Sequence, residues 1–108
     1  MRKIESAMND AITNSTNFKS ANTEVHTLDG VSYVYLYGNK IAEVGNSFIR
    51  LFDGGYQSNT TKSRINAILS EHGLSGESVF ANKKTWFVNV MTSGGLATVP
   101  FFSSMRLA

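Results

Sequence analysis

Apolar residues recur along this chain first at helical spacing and then at alternating spacing. From about Lys3 to Thr13, Ile4, Ala7, Met8, Ala11 and Ile12 form a one-sided stripe that predicts an amphipathic helix. Asn14 to Asn22 is polar and reads as a connector. Then the period becomes two. Asp29-Gly30 is a strong hairpin signal, because a type I′ turn needs positive φ at both central positions, and it predicts that Thr23–Leu28 pairs with Val31–Tyr37. Gly38-Asn39 is expected to turn the chain into Lys40–Val44, and Gly45-Asn46-Ser47 into Phe48–Asp53. The result is an antiparallel meander of short strands.

Side chains alternate between sheet faces, so the length of the third turn matters. A three-residue turn places Val25, Val34, Leu36, Ile41, Ile49 and Leu51 on one face and His26, Tyr33, Tyr35, Tyr37, Phe48, Arg50 and Phe52 on the other. A two-residue turn would swap the last strand. The first register makes one face uniformly aliphatic and is the expectation.

A second helix is predicted from about Thr60 to Glu71, capped by Ser58, Asn59 or Thr60, with Thr61, Ile65, Ile68, Leu69 and His72 on its buried stripe. Gly73 is read as a left-handed stop, with Leu74 folding back over it. Val79–Ala81, a turn near Asn82-Lys83, Thr85–Val90 and Ala97–Phe102 complete the strands. Pro100 places the last of these at an edge, since proline cannot donate to a ladder. The fold class is therefore α+β: an antiparallel meander with an N-terminal and a mid-chain helix packed on it, in the order α-ββββ-α-βββ.

Composition narrows the function classes. The 108 residues suit a single α+β domain with one core, and 42% are apolar. With no cysteine, disulfides, iron–sulfur clusters and thiolate zinc sites are excluded. No carboxylate or histidine cluster has metal-ligand spacing, and no cofactor is implied. No apolar run is long enough to span a bilayer, and the basic start Met1-Arg2-Lys3 lacks a following apolar stretch, so neither membrane insertion nor a signal peptide is expected. The net charge of +2 is spread along the chain rather than clustered.

Two segments carry candidate chemistry. At the second helix, Gly54-Gly55 precede Thr60, Thr61, Lys62 and Arg64; backbone N–H groups, hydroxyls and cations there would suit an anion such as a phosphate. The alternative reading is that the hydroxyls cap the helix while Lys62 and Arg64 point to solvent. The second segment is the ring-bearing face. Tyr33, Tyr35, Tyr37 and Arg50 are the residue types that anchor protein interfaces, and rings with cations also suit stacked bases. Against this stands a covering helix, which would make the rings core. His26 and His72 have no spacing that brings them together for general acid–base work. Lys83, Lys84 and Trp86 form a short basic–aromatic knuckle.

Three pieces in order, Arg2-Lys3-Ile4-Glu5, the glycine-to-helix run from Gly54 to Leu69, and Val79-Phe80 followed by Lys83-Lys84-Thr85-Trp86-Phe87-Val88, resemble small, mostly uncharacterised accessory proteins of tailed bacteriophages. Members of that group tend to carry Trp where this chain has Tyr56. The resemblance carries over no catalytic residues. It implies an accessory protein made in the bacterial host cytoplasm and implies no activity; the lack of a catalytic constellation makes a non-enzymatic binding protein the expectation. The expected partner is a host protein, in a defence system of the kind that anti-CRISPR proteins inhibit. Nucleic acid or a phosphorylated ligand is the alternative partner. The weakly guarded Ala97–Phe102 edge also makes a homodimer an expectation.

Overall fold

Asp29 and Gly30 hold φ of 51° and 79°, and the type I′ turn they form pairs β2 (Thr23–Leu28) with β3 (Val31–Leu36) in the expected register, Val25 opposite Val34 and His26 opposite Tyr33. The computed structural model describes residues 1–107. Before this hairpin lie α1 (Lys3–Asn14) and β1 (Phe18–Ser20); after it come β4 (Asn39–Val44), β5 (Ile49–Leu51), α2 (Asn59–His72), β6 (Ser78–Asn82), β7 (Thr85–Thr92), β8 (Gly95–Pro100) and β9 (Met105–Leu107). The fold is α+β with antiparallel sheets, as expected. β1 and β9 are additions: β1 arises inside the polar connector, and β9 returns from the chain end to pair with β5.

The strands form a six-stranded sheet, β1-β2-β3-β4-β5-β9, and a three-stranded sheet, β6-β7-β8. Two turns differ from the expected ones. The second falls at Tyr37-Gly38, both at positive φ (52° and 77°), one residue earlier than Gly38-Asn39, so Leu36 faces Asn39. The third is a two-residue turn at Asn46-Ser47, with the Gly45 N–H bonded to the Phe48 carbonyl at 2.9 Å. That turn alone would have swapped β5 between faces. A bulge prevents it: Val34 pairs with Ala42 but Tyr35 with Lys40, leaving Ile41 extra, and Ile41 and Ala42 are both buried. The expected face assignment survives through the bulge rather than through turn length.

Both helices pack on the aliphatic face. Met8, Ala11 and Ile12 of α1 and Ile65, Ile68 and Leu69 of α2 share one core with Val25, Val34, Leu36, Ile41 and Leu51. The Asn9 carboxamide ties the helices together by donating to the Ala67 carbonyl at 3.0 Å. Val79, Trp86 and Val88 of the small sheet and Met105 and Leu107 of β9 extend the same core.

Helix ends follow local chemistry in part. Glu5 accepts the Arg2 backbone N–H at 3.2 Å, and Ser58 Oγ caps α2 by accepting the Thr61 N–H at 3.1 Å. Gly73 is not left-handed: its φ is −85°, and Leu74 is exposed rather than folded back. Glycine is required there for space instead, because a Cβ would lie 2.7 Å from the Leu69 carbonyl oxygen.

Candidate interaction face

Because both helices occupy one side of the large sheet, the opposite side has no helix over it among the described residues. The pairing register fixes what that side displays. One cross-strand row runs His26–Tyr33–Glu43–Arg50–Arg106. The next runs Lys19–Glu24–Tyr35–Lys40. Phe48 and Phe52 flank the β5 end.

Rings and charges interleave across these rows. His26 meets Tyr35 edge-to-face at 5.4 Å between centroids, and its Nε2 lies 3.1 Å from Glu24 Oε1. The Lys40 ammonium bonds Glu43 and sits over the Phe52 ring at 4.5 Å and near the Tyr33 ring at 5.8 Å. Arg106 stacks over Phe48 at 5.1 Å. Arg50 reaches Glu43 only at 3.9 Å and donates a long bond of 3.4 Å to the Ser104 carbonyl. Arg50 and Arg106 are direct cross-strand neighbours, a like-charge pair that sheet packing disfavours. Tyr33, Tyr35 and Arg50 are half-buried among these neighbours.

Tyr37 leaves the row. The turn at Tyr37-Gly38 lifts it to the hairpin tip, 74% exposed, where with Tyr56 it borders a cleft of about 190 Å³ also lined by Asn39, Asp53 and Thr60. Lys19, Glu24, Lys40, Glu43 and Arg106 belong to the face but were not singled out in the sequence. Alternation along the hairpins carried the signal for Glu24 and Lys40, whereas Lys19 lay in the polar connector and Glu43 reaches this face only through the bulge at Ile41. Arg106 had none, since it reaches the face only through the β5–β9 pairing.

The helix entrance does not form the anion cradle. Arg64, 3% exposed, points into the protein: Nη1 donates to Glu5 Oε2 at 2.8 Å, Nε to Thr23 Oγ1 at 3.1 Å, and Nη2 to Asn22 Oδ1 at 3.3 Å. Ser63 donates to the same carboxylate at 2.6 Å. Burial alone would push the Glu5 carboxyl up, but the bonds from Ser63, Arg64 and the Arg2 backbone, with the Arg64 charge, hold it below the usual carboxylate range. Arg64 lies on the buried side because position 64 is one turn before Ile68 on the core stripe. Thr61 is likewise buried, bonded to Ser58 and the Tyr56 carbonyl. Lys62 and Thr60 are half-buried, and Thr60 lines the same cleft as Asp53, whose carboxylate accepts the Gly55 N–H at 2.8 Å. A carboxylate there opposes an anion.

The remaining candidates separate. Trp86 is core, edge-on to Phe101 at 5.2 Å, so no knuckle joins it to Lys83 and Lys84. The two lysines occupy the β6–β7 turn at φ of 51° and 65°. His72 lies at the end of α2 with Nε2 buried and unpartnered; burial lowers its pKa despite the nearby Glu71 charge. No helix among the described residues is long and apolar enough to cross a membrane.

No curated protein matches the chain, and no solved structure does. One protein-family model, described as Kyanoviridae Gp96 protein, matches residues 1–108. The chain therefore belongs to the Kyanoviridae Gp96 family, a phage protein family.

Proposed function

We propose that this phage protein is a non-enzymatic binding protein that docks its ring-bearing face on a protein of the bacterial host and inhibits or redirects it by occlusion. Interference with a defence system, as by anti-CRISPR proteins, is the kind of role this reading describes. The observation that carries it is the placement of both helices on the aliphatic side, which leaves Tyr33, Tyr35 and Arg50 without a covering element. Half-buried tyrosines and arginine are the groups that anchor protein interfaces. Glu24 and Glu43 stand between the cations of this face, where a phosphate backbone would meet repulsion, so a protein partner fits better than nucleic acid. The burial of Arg64 also removes the strongest cation from the phosphorylated-ligand reading.

The experiment is a cross-linked capture from host lysate with the native chain, Tyr35→Ala/Arg50→Glu and Lys83→Glu. A stoichiometric protein retained by the native chain and by Lys83→Glu, and lost with the double variant, supports the reading. Capture unaffected by the double variant, or absent, overturns it. Recovery of nucleic acid with steep salt dependence would favour the alternative.

A further inference from the structure

Two sheets have four edges, and three of these are guarded. β1 and β9 are three residues long, each with a central cation, Lys19 or Arg106, facing out of the core. The β6 edge is closed by a side chain of α2: the Asn66 carboxamide donates to the Val79 carbonyl at 2.9 Å and accepts the Val79 N–H at 2.7 Å, as a neighbouring strand would. β8 has none of these devices. It is six residues long, carries no charge, and is the outer strand of the small sheet, paired only with β7.

The register identifies which backbone groups β8 turns outward. A two-residue turn makes Thr92 and Gly95 a hydrogen-bonded pair, and the Phe101 N–H donates to the Trp86 carbonyl at 3.0 Å. Bonding alternates along an antiparallel pair, so Gly95, Ala97, Val99 and Phe101 bond inward while Leu96, Thr98 and Pro100 face away from β7. Pro100 thus stands where its missing N–H costs the molecule's own ladder nothing.

We propose that β8 pairs antiparallel with β8 of a second copy of this chain, about a two-fold axis at Thr98. In that register Thr98 exchanges N–H and C=O bonds with its counterpart, and each Leu96 N–H donates to the other copy's Pro100 carbonyl. The solvent-side rows match themselves. Ser78, Asn89 and Thr98 form a hydrogen-bonded polar row, with Asn89 donating to Ser78 at 3.2 Å and accepting from Thr98 at 2.7 Å, and the axis continues it into the same row. On either side, the apolar pair Met91–Leu96 meets Pro100–Phe87–Phe80, whose two rings stack at 5.7 Å. A register shifted to set Leu96 against Thr98 would oppose polar and apolar groups. The absence of charge favours a second copy, since no group on the strand repels its own image.

Sedimentation equilibrium on the full chain over a concentration series tests this, alongside amide exchange at Leu96 and Thr98. The expected result is a mass twice that of the 11.8 kDa chain, with both amides protected although no bond among the described residues of one copy holds them. Thr98→Lys, which sets like charges face to face, should give a monomer with exposed amides at these positions and an unchanged circular dichroism spectrum. Thr98→Val, which loses the side-chain bond but adds no charge, should stay dimeric. If Thr98→Lys does not fold, Leu96→Lys serves in its place. A monomer at every concentration up to hundreds of micromolar overturns the proposal. So does a dimer indifferent to both lysine variants. Neither result bears on the ring-bearing face, which Tyr35→Ala/Arg50→Glu tests separately.

Discussion

Arg64 Nη1 lies 2.8 Å from Glu5 Oε2, with each side chain only 4% exposed, so one ion pair locks α2 to α1 beside the core. Thr23 and Asn22 each accept from another guanidinium nitrogen and Ser63 donates to the same carboxylate, the kind of added bonding under which a buried pair is tolerated. The network sets the relative register of the two helices and ties both to the start of β2.

Removing one partner strands the other charge. Arg64→Ala and Glu5→Ala are each expected to cost about 3–5 kcal/mol in urea unfolding at neutral pH. The double variant Glu5→Met/Arg64→Met should recover most of that loss, because apolar groups of similar volume leave no unpaired charge. A double variant as unstable as either single one would contradict the assignment.

Acid should destabilise the protein in two separable steps. The His72 pKa is lowered from 6.5 by burial, so its contribution is fully present above 6.5 and is lost as pH falls, when the unfolded chain takes up a proton that the folded one resists. The Glu5 pKa lies below 4.5, so its contribution is lost at lower pH, from 4.5 downward through the folded value. Urea midpoints measured as a function of pH should show both steps. His72→Gln should remove only the first, and Glu5→Gln only the second.

Lys83 and Lys84 hold the left-handed conformation without being glycine, at φ of 51° and 65°. That conformation costs roughly 1–2 kcal/mol per ordinary residue. Replacing the pair with Asn-Gly, the preferred type I′ turn, should stabilise the chain by about 1 kcal/mol, or about 4–8 °C in a domain of this size. A thermal melt that does not rise would contradict the turn geometry.

Val34 and Tyr35 are neighbours in sequence and point to opposite faces. Val34 is fully buried, and Val34→Ala should cost about 2 kcal/mol. Tyr35 carries the larger side chain, yet Tyr35→Thr should cost about 1 kcal/mol or less, since the ring contributes cross-strand pairing rather than core. The reverse order in chemical denaturation would mean that the ring-bearing face is the interior.

The amino-acid sequence by itself determined the two helices, the Asp29-Gly30 hairpin, a cap among Ser58, Asn59 and Thr60, and the edge position of Pro100, because each depends on residues within a few positions of one another. The faces of β2 and β3 were legible for the same reason, through the period of two. Other features depended on contacts distant in the chain. The bulge at Ile41 replaces a longer turn because the aliphatic face must stay continuous under the helices. Arg64 turns inward because Glu5, 59 positions away, waits there with a buried carboxylate. Arg106 joins the outer face only when β9 pairs with β5. Local rules set the pitch and the turns; which side of the sheet both helices would cover was decided by packing, and with it which residues the molecule shows to others.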